Sequence, residues 1–296
     1  MGKSMPSPDA ALKDFFKNND VFAGLFNGYF FNDEGVINPD ELEPENTAYT
    51  ESIQLNIENK VETINKYRDN VRRTSIGHLV ILGIEDQSKI HYSMPVRNGL
   101  YDFLGYSTEL KEKSKNQKTE GWTADEWLSR AKKGTKVTPI ITVVFYTGNK
   151  PWDGPRTLHD MMDIDEKVKS YVPDYPLYVI DIGHDKDLSF SNKDLNELRE
   201  TLSSVYSGRD SEKIVDKSII ALTGILTGDE DMYTFAVESS EEKLPLCDAL
   251  KERYARYEKE ACEKAREKVR EEYEGKLAAK DAEIAALKKQ LAAAEA

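Results

Sequence analysis

Residues 79–84 read Leu-Val-Ile-Leu-Gly-Ile and run without a break into Glu85-Asp86-Gln87-Ser88-Lys89. An apolar run this short suits a strand covered on both sides better than a buried helix. Side chains on a strand alternate between its faces. Extended geometry therefore puts Glu85, Gln87 and Lys89 on one side, and Ile84, Asp86 and Ser88 on the other. A carboxylate, an amide and an ammonium at spacing two have no packing use inside a sheet. They suit the lip of a cleft, where a carboxylate holds a cation and its neighbours orient water or phosphate. The plainer alternative is a strand that emerges into solvent and turns polar.

The rest of the chain predicts an α/β fold around that strand. Residues 1–11 are polar. From Ala11 to Phe31 the apolar residues fall at helical spacing, with Asp20 as the expected cap of a second helical piece. Asn32-Asp33-Glu34-Gly35 ends that helix, and residues 38–50 read as an exposed loop. Residues 51–66 fit both periods: Ile53, Leu55 and Ile57 alternate like a strand, while Ile57, Val61 and Ile64 step like a helix. Lys66-Tyr67-Arg68-Asp69-Asn70-Val71-Arg72-Arg73 then gathers four bases around one aspartate.

Beyond the central strand, His91 to Tyr106 predicts a helix with Pro95 in its first turn and Val96, Leu100, Phe103 and Leu104 as its buried stripe. Arg97 and Tyr101 lie one turn apart on it. Residues 107–136 form a polar insertion in which Thr123-x-x-Glu126 matches a capping box. Val137–Tyr146 and Leu177–Ile182 are the next strands. Residues 192–236 read as helical, broken at Gly208 and Gly228. Strands separated by helices imply a mixed sheet flanked by helices.

From Pro245 onward only Gly275 interrupts a helical pattern. Leu277, Ile284 and Leu291 recur every seven residues, joined by Leu287, so the end of the chain reads either as a coiled coil or as a solvated single helix.

Charge narrows the function classes. From Glu241 onward 14 acids face 13 bases, so the remaining 40 acids and 28 bases leave the body at −12. An acidic body argues against broad phosphate-driven binding of nucleic acid. It fits a carboxylate-rich site that needs a metal before it tolerates phosphate. Two cysteines cannot make a disulfide framework, and four histidines without close His/Cys spacing make a structural zinc site unexpected. No apolar run approaches a membrane span and no secretory signal is recognisable, so a cytoplasmic protein is expected.

One acid ahead of the strand, one acid within it and a polar group two residues on is the layout of PD-(D/E)xK phosphodiesterases. The likeness becomes specific in Ile-Leu-Gly-Ile-Glu-Asp-Gln-Ser (81–88), His-Tyr-Ser-Met-Pro-Val-Arg-Asn (91–98), Tyr101-Asp102, Val-Val-Phe-Tyr-Thr-Gly (143–148), Trp152 and Leu158-His159-Asp160, with Arg68-Asp69 upstream. Over roughly residues 15 to 190 the chain resembles the transposase and recombination-promoting nuclease family of that superfamily. The resemblance implies a restriction-endonuclease-like core, Mg²⁺-dependent cleavage of DNA and a role tied to recombination or mobile elements. Together with the helical patterns that follow it, this gives a nuclease-like core at 1–190, a helical extension at 191–240 and a long C-terminal helix at 241–296, the last lying outside the resemblance.

By position, Asp69 matches the first metal-binding acid and Glu85 the second, with the adjacent Asp86 as a further candidate ligand. Gln87 stands where the superfamily more often has lysine, and Lys89 is the candidate for the missing charge. Arg72, Arg73 and Arg97 are the candidate contacts to DNA. Each has an alternative: Asp69 as a surface acid paired with Arg72 or Arg73, and Arg97 as a partner of Asp102. His91, Tyr101 and the pair His159-Asp160 read more readily as structural. Two function classes follow: an endonuclease, or a catalytically weak member of the fold that binds DNA or protein and self-associates through its C-terminal helix.

Overall fold

Val143, Val144, Phe145 and Tyr146 are all buried, as the uninterrupted apolar strand predicts. In the computed structural model, residues 4–44, 48–53, 62–67, 70–76, 78–208, 212–251, 263–277 and 280 are described, by backbone alone at 48–53, 62–67, 75–76 and 78–86. In chain order the first elements are α1 (Pro8–Phe15), α2 (Asn19–Phe31), β1 (Glu43–Pro44), β2 (Ala48–Ile53), β3 (Glu62–Tyr67), β4 (Asn70–Ile76) and β5 (His78–Gln87). Then follow α3 (Met94–Asn116), α4 (Ala124–Ser129), β6 (Ile140–Tyr146), α5 (Glu166–Lys169), β7 (Tyr178–Asp181) and α6 (Lys193–Ser207). β8 (Ile214–Asp216), α7 (Lys217–Thr227), α8 (Glu230–Glu238) and β9 (Lys243–Pro245) complete the series.

The main sheet has the order β1-β4-β5-β6-β7. β4 and β5 are antiparallel, with Asn70 opposite Ile84, whereas β5, β6 and β7 run parallel. A parallel pair needs a crossover, and α3 lies within the one between β5 and β6. β2 and β3 form a separate antiparallel ribbon, as do β8 and β9. The fold is therefore mixed α/β, as expected.

Alternation along β6 divides the interior in two. Val143 and Phe145 join Ile180 and Ile182 beneath α1, α2, α6, α7 and α8. Phe16 meets Phe145 edge to face, with centroids 5.1 Å apart; such a pair contributes about 0.5–1.5 kcal/mol beyond burial. Val144 and Tyr146 face the other way, onto Met94, Trp152, Leu177 and Val179. Leu195, Leu198, Leu202, Leu246 and Leu250 belong to the larger cluster, so residues from both ends of the chain fill one core.

Several local expectations change. Asn18, not Asp20, caps α2, because its side chain accepts the Asp20 backbone N–H. Residues 38–50 are not simply a loop. Asn27 clamps Ile37 through both backbone groups, and Asn19 donates to the carbonyls of Pro39 and Leu42, guiding this stretch toward β1. Ile64 lies in β3, while Leu55, Ile57 and Val61 fall outside the described residues.

α3 runs ten residues past Tyr106, to Asn116; Leu104 of the expected stripe is buried and Leu100 half-buried, but the inward face is rotated away from Val96 and Phe103. Val96 and Phe103 are 50% and 64% exposed, while Asn98, Gly99, Tyr101 and Asp102 are buried. The reason is a polar anchor: Asp102 accepts from Thr142 on β6 at 3.0 Å and from the Tyr175 hydroxyl. A buried carboxylate needs such partners, and meeting them sets the rotation of the helix. The capping box forms as expected, with Thr123 and Glu126 bonded reciprocally. Gly208 and Gly228 end α6 and α7 in the left-handed region that glycine adopts without penalty.

The described part of the C-terminal segment is helical at 246–251 and 263–277. Leu246, Ala249 and Leu250 are buried in the main core. Residues 263–277 are exposed, Val269, Tyr273 and Leu277 included. Ile284, Leu287 and Leu291 lie outside the described residues. No described helix is long and apolar enough to cross a membrane.

Arg72 ties the sheet to the N-terminal helices. Its guanidinium donates to the carbonyls of Phe16 and Val71, makes a 3.4 Å bond to Asn19, and lies 5.2 Å from the Phe22 ring centre. Arg72→Ala should therefore lower unfolding stability by about 1–3 kcal/mol. Arg72→Lys should restore only part of that, since an ammonium lacks the planar fork. Urea unfolding followed by circular dichroism reads both. Unchanged stability in the alanine variant would contradict this structural role.

Candidate active site

The C-terminal ends of β5, β6 and β7 form one edge of the sheet. Open α/β sheets place their ligand crevices at such edges, where strands stop and loops begin. The register aligns Glu85 with Val144 and Val179, and Gln87 with Tyr146 and Asp181. Asp86 falls in the alternate row, with Phe145 and Ile180. Gln87 thus takes the register row of Tyr146 on the α3-covered face, and Glu85 stands two positions before it on the same strand.

Lys89 departs from that pattern. β5 ends at Gln87 and the chain bends at Ser88 and Lys89, so strand parity cannot be carried on to Lys89 or to His91. Lys89 is exposed. Asp69 lies outside the described residues, as do the side chains of Glu85 and Asp86. Asn70, the residue after Asp69, pairs with Ile84, the residue before Glu85. Among the described residues no group of three His, Cys, Asp or Glu side chains could hold a metal ion.

The bases take separate paths. Arg72 is bound within the fold. Arg73 is partly buried on β4, in register with Ile81 and Glu43. Arg97 donates from Nε to the Tyr101 hydroxyl at 2.9 Å, its guanidinium 5.4 Å from the ring centre. Tyr101 is buried, so this contact fixes the base of the Arg97 side chain on α3.

The strand ends are knitted together. Thr147 donates its backbone N–H to the Gln87 carbonyl at 2.9 Å, and its own carbonyl accepts from the Tyr206 hydroxyl at 2.6 Å. Tyr146 donates to the Lys150 carbonyl at 2.8 Å and meets Trp152 edge to face. This fold-back leaves no room at Gly148, where a Cβ would strike the Tyr146 phenol. Trp152 in turn donates its backbone N–H to Asp181 Oδ2 at 2.9 Å.

Beside this edge an open depression of about 560 Å³ is lined by Tyr92, Asp153, Gly154, Pro155, Asp160 and Met161. The Tyr92 hydroxyl donates to Asp153 at 3.1 Å, and that bond raises its pKa. Burial pushes the Tyr146 phenol up, and the charges of Asp181 and Asp153 push it further. The strand ends are therefore electronegative, a setting in which a phosphate needs a cation beside it.

His159 and Asp160 do not act as a pair. His159 Nε2 donates to the Val172 carbonyl, while Asp160 accepts the backbone N–H groups of Arg156 and Thr157, which hold its carboxyl below the usual range. Both serve the loop.

Three residues at this edge carry no expectation from the sequence. Asp181 ends β7 and is only 6% exposed. His184 bonds it through Nδ1 at 2.8 Å. The His184 ring lies flat on Tyr206, with centroids 5.1 Å apart and planes 3° apart. Asp181 had a readable signal: like Glu85, it stands near the end of an apolar strand. Nothing local announces the stacking partner from α6.

A family model described as "Putative transposase, YhgA-like" matches residues 9–232. No curated protein and no solved structure matches the chain. The matched range runs from α1 into α8 and includes β5 with Glu85 and Gln87, the edge built by β6 and β7, and the Tyr206 helix. The chain therefore belongs to the YhgA-like transposase family, within the PD-(D/E)xK group that also holds the recombination-promoting nucleases.

Proposed function

We propose that this protein is a Mg²⁺-dependent DNA endonuclease with a restriction-endonuclease-like core, acting in the mobile-element setting that its family indicates. The observation that carries this reading is the register of β4 and β5, which sets Asn70 against Ile84. The chain neighbours of those two residues are Asp69 and Glu85, the two acids at the family's motif positions. Gln87 follows at the end of a parallel strand, beside an electronegative edge.

In this reading Asp69, Glu85 and Asp86 are the metal ligands. A set of carboxylates is the hard-oxygen donor chemistry that Mg²⁺ takes. When bound, Mg²⁺ supplies the positive charge that lets the scissile phosphate approach an acidic surface. The Gln87 amide orients the attacking water through hydrogen bonds without changing charge. Arg73, Arg97 and Lys89 contact the DNA backbone, while Arg72 acts through the fold that it braces. A cytoplasmic setting goes with DNA as the partner.

A second reading has its own support. An amide at position 87 cannot supply the charge of a lysine, and the body carries −12. Both favour a weak nuclease that acts mainly by binding DNA or protein. Plasmid nicking in Mg²⁺, Mn²⁺ and EDTA separates the two. The parent should cut only with metal. Glu85→Ala should lose at least the 10- to 100-fold that removal of a mere outer-shell partner costs, with an unchanged circular dichroism spectrum. A Glu85→Ala variant that cuts like the parent would remove Glu85 from the site.

Self-association through the C-terminal helix belongs to the same proposal. Exposed Val269, Tyr273 and Leu277 repeat at a spacing of four, and a solitary helix gains little stability without a partner surface. Because Leu246, Ala249 and Leu250 fill the core, the cut that tests this must spare them. Deleting residues 263–296 should leave urea unfolding unchanged and lower the mass measured by light scattering from dimer to monomer. A monomer in both forms would eliminate this role.

A further inference from the structure

We propose that His184 is a proton-transferring residue of this site, fixed by Asp181 and Tyr206. The inference deepens the nuclease reading and rests on it. That reading leaves a gap: Gln87 can orient water but cannot take its proton. The same sheet edge holds a histidine that a carboxylate and a stacked ring keep in one orientation, the second-partner arrangement that a proton-transferring imidazole uses.

Asp181 is buried and aligned, through Tyr146, with Gln87. Neighbouring strands lie about 4.8 Å apart, so the Asp181 and Gln87 backbones are separated by roughly 10 Å. One carboxylate oxygen accepts the Trp152 N–H and the other meets His184 Nδ1. A carboxylate oxygen accepts rather than donates, so the bond assigns the proton of the neutral ring to Nδ1 and the lone pair to Nε2. Face-to-face stacking on Tyr206 fixes the plane of the ring. The Tyr206 hydroxyl is itself anchored on Thr147, whose N–H is bonded to Gln87. One chain of contacts therefore runs from the end of the candidate catalytic strand to the imidazole. The His184 side chain is 18% exposed. The titratable groups around it are Asp181 and Asp185 from its own turn and the Tyr206 phenol from α6.

The step balances as a hydrolysis. His184 Nε2 takes a proton from water as the water oxygen bonds to phosphorus. The bond from phosphorus to the leaving sugar oxygen breaks, and that oxygen takes a proton from solvent. The imidazolium then returns its proton to water. Asp181 is a positioning residue, holding the tautomer and the ring.

The test uses the full chain and a supercoiled plasmid with saturating Mg²⁺, between pH 5 and 9. The parent rate should rise across the range in which histidine loses its proton. His184→Asn keeps an amide N–H for Asp181 but has no basic nitrogen. It should lower the cleavage rate by about 10²- to 10⁴-fold and abolish that rise, with plasmid affinity unchanged. Asp181→Asn should also lower the rate, by releasing the tautomer. A second readout needs no turnover. With only four histidines in the chain, the His184 imidazole resonances can be assigned by their absence from the variant. The Nε2 signal should shift when a short DNA duplex is added with Ca²⁺ in place of Mg²⁺. A cutting parent whose His184→Asn variant keeps its rate and pH profile would overturn the role of His184 and leave the nuclease reading standing. A parent that cuts with no metal would overturn both.

Discussion

The structure depends on a strand that can face water on neither side. β6 buries Val143 and Phe145 in one direction and Val144 and Tyr146 in the other. A parallel strand of this kind must be covered twice, and each cover has consequences. On one face the N-terminal helices, α6, α7, α8 and residues as distant as Leu250 are drawn into a single core. On the other, α3 and the Trp152 loop close a smaller one. With both faces occupied, polar chemistry has only the ends of the strands, and there Gln87, Tyr146 and Asp181 stand in one row.

Polar groups near that row show how an interior accommodates them. Asp102, buried under the sheet, is met by Thr142 and Tyr175, and the rotation of α3 follows. Arg72 satisfies its guanidinium on Phe16, Val71 and Asn19, which turns a base that looked available to DNA into a brace. Asp181 takes a backbone N–H from Trp152 and the His184 ring. In each case a charged or polar group must find partners once water is excluded. Finding them fixes the position of a neighbouring element. The groups that orient the edge are therefore also the groups that hold the fold.

The edge is acidic, and that property links fold to chemistry. Asp153 and Asp181 raise the Tyr146 phenol beyond the effect of its burial. A phosphate entering this region meets negative potential unless a cation or an engaged base accompanies it. An amide at position 87 leaves the potential as it is. A lysine there would have reduced it, so the burden falls on groups gathered from other elements.

How much of this was legible without the structure differs by element, and physics accounts for the difference. Alternation and burial act between near neighbours in sequence. The strands β5, β6 and β7, the capping box at Thr123 and Glu126, and the glycine stops at Gly208 and Gly228 were all readable. What failed depended on distant partners. The inward face of α3 was read at Leu104 but not at Asn98 and Asp102, because Thr142 and Tyr175 rather than apolar spacing draw Asp102 inward. Lys89 lost its place in the row because the chain bends once β5 ends. The Arg72 brace on Phe16 spans 56 residues of chain and the stacking of His184 on Tyr206 spans 22. The sequence by itself determined the three parallel strands β5, β6 and β7 and the acids near the ends of two of them. Only the tertiary structure decided which polar groups meet, because a buried charge is satisfied by whatever the fold brings to it.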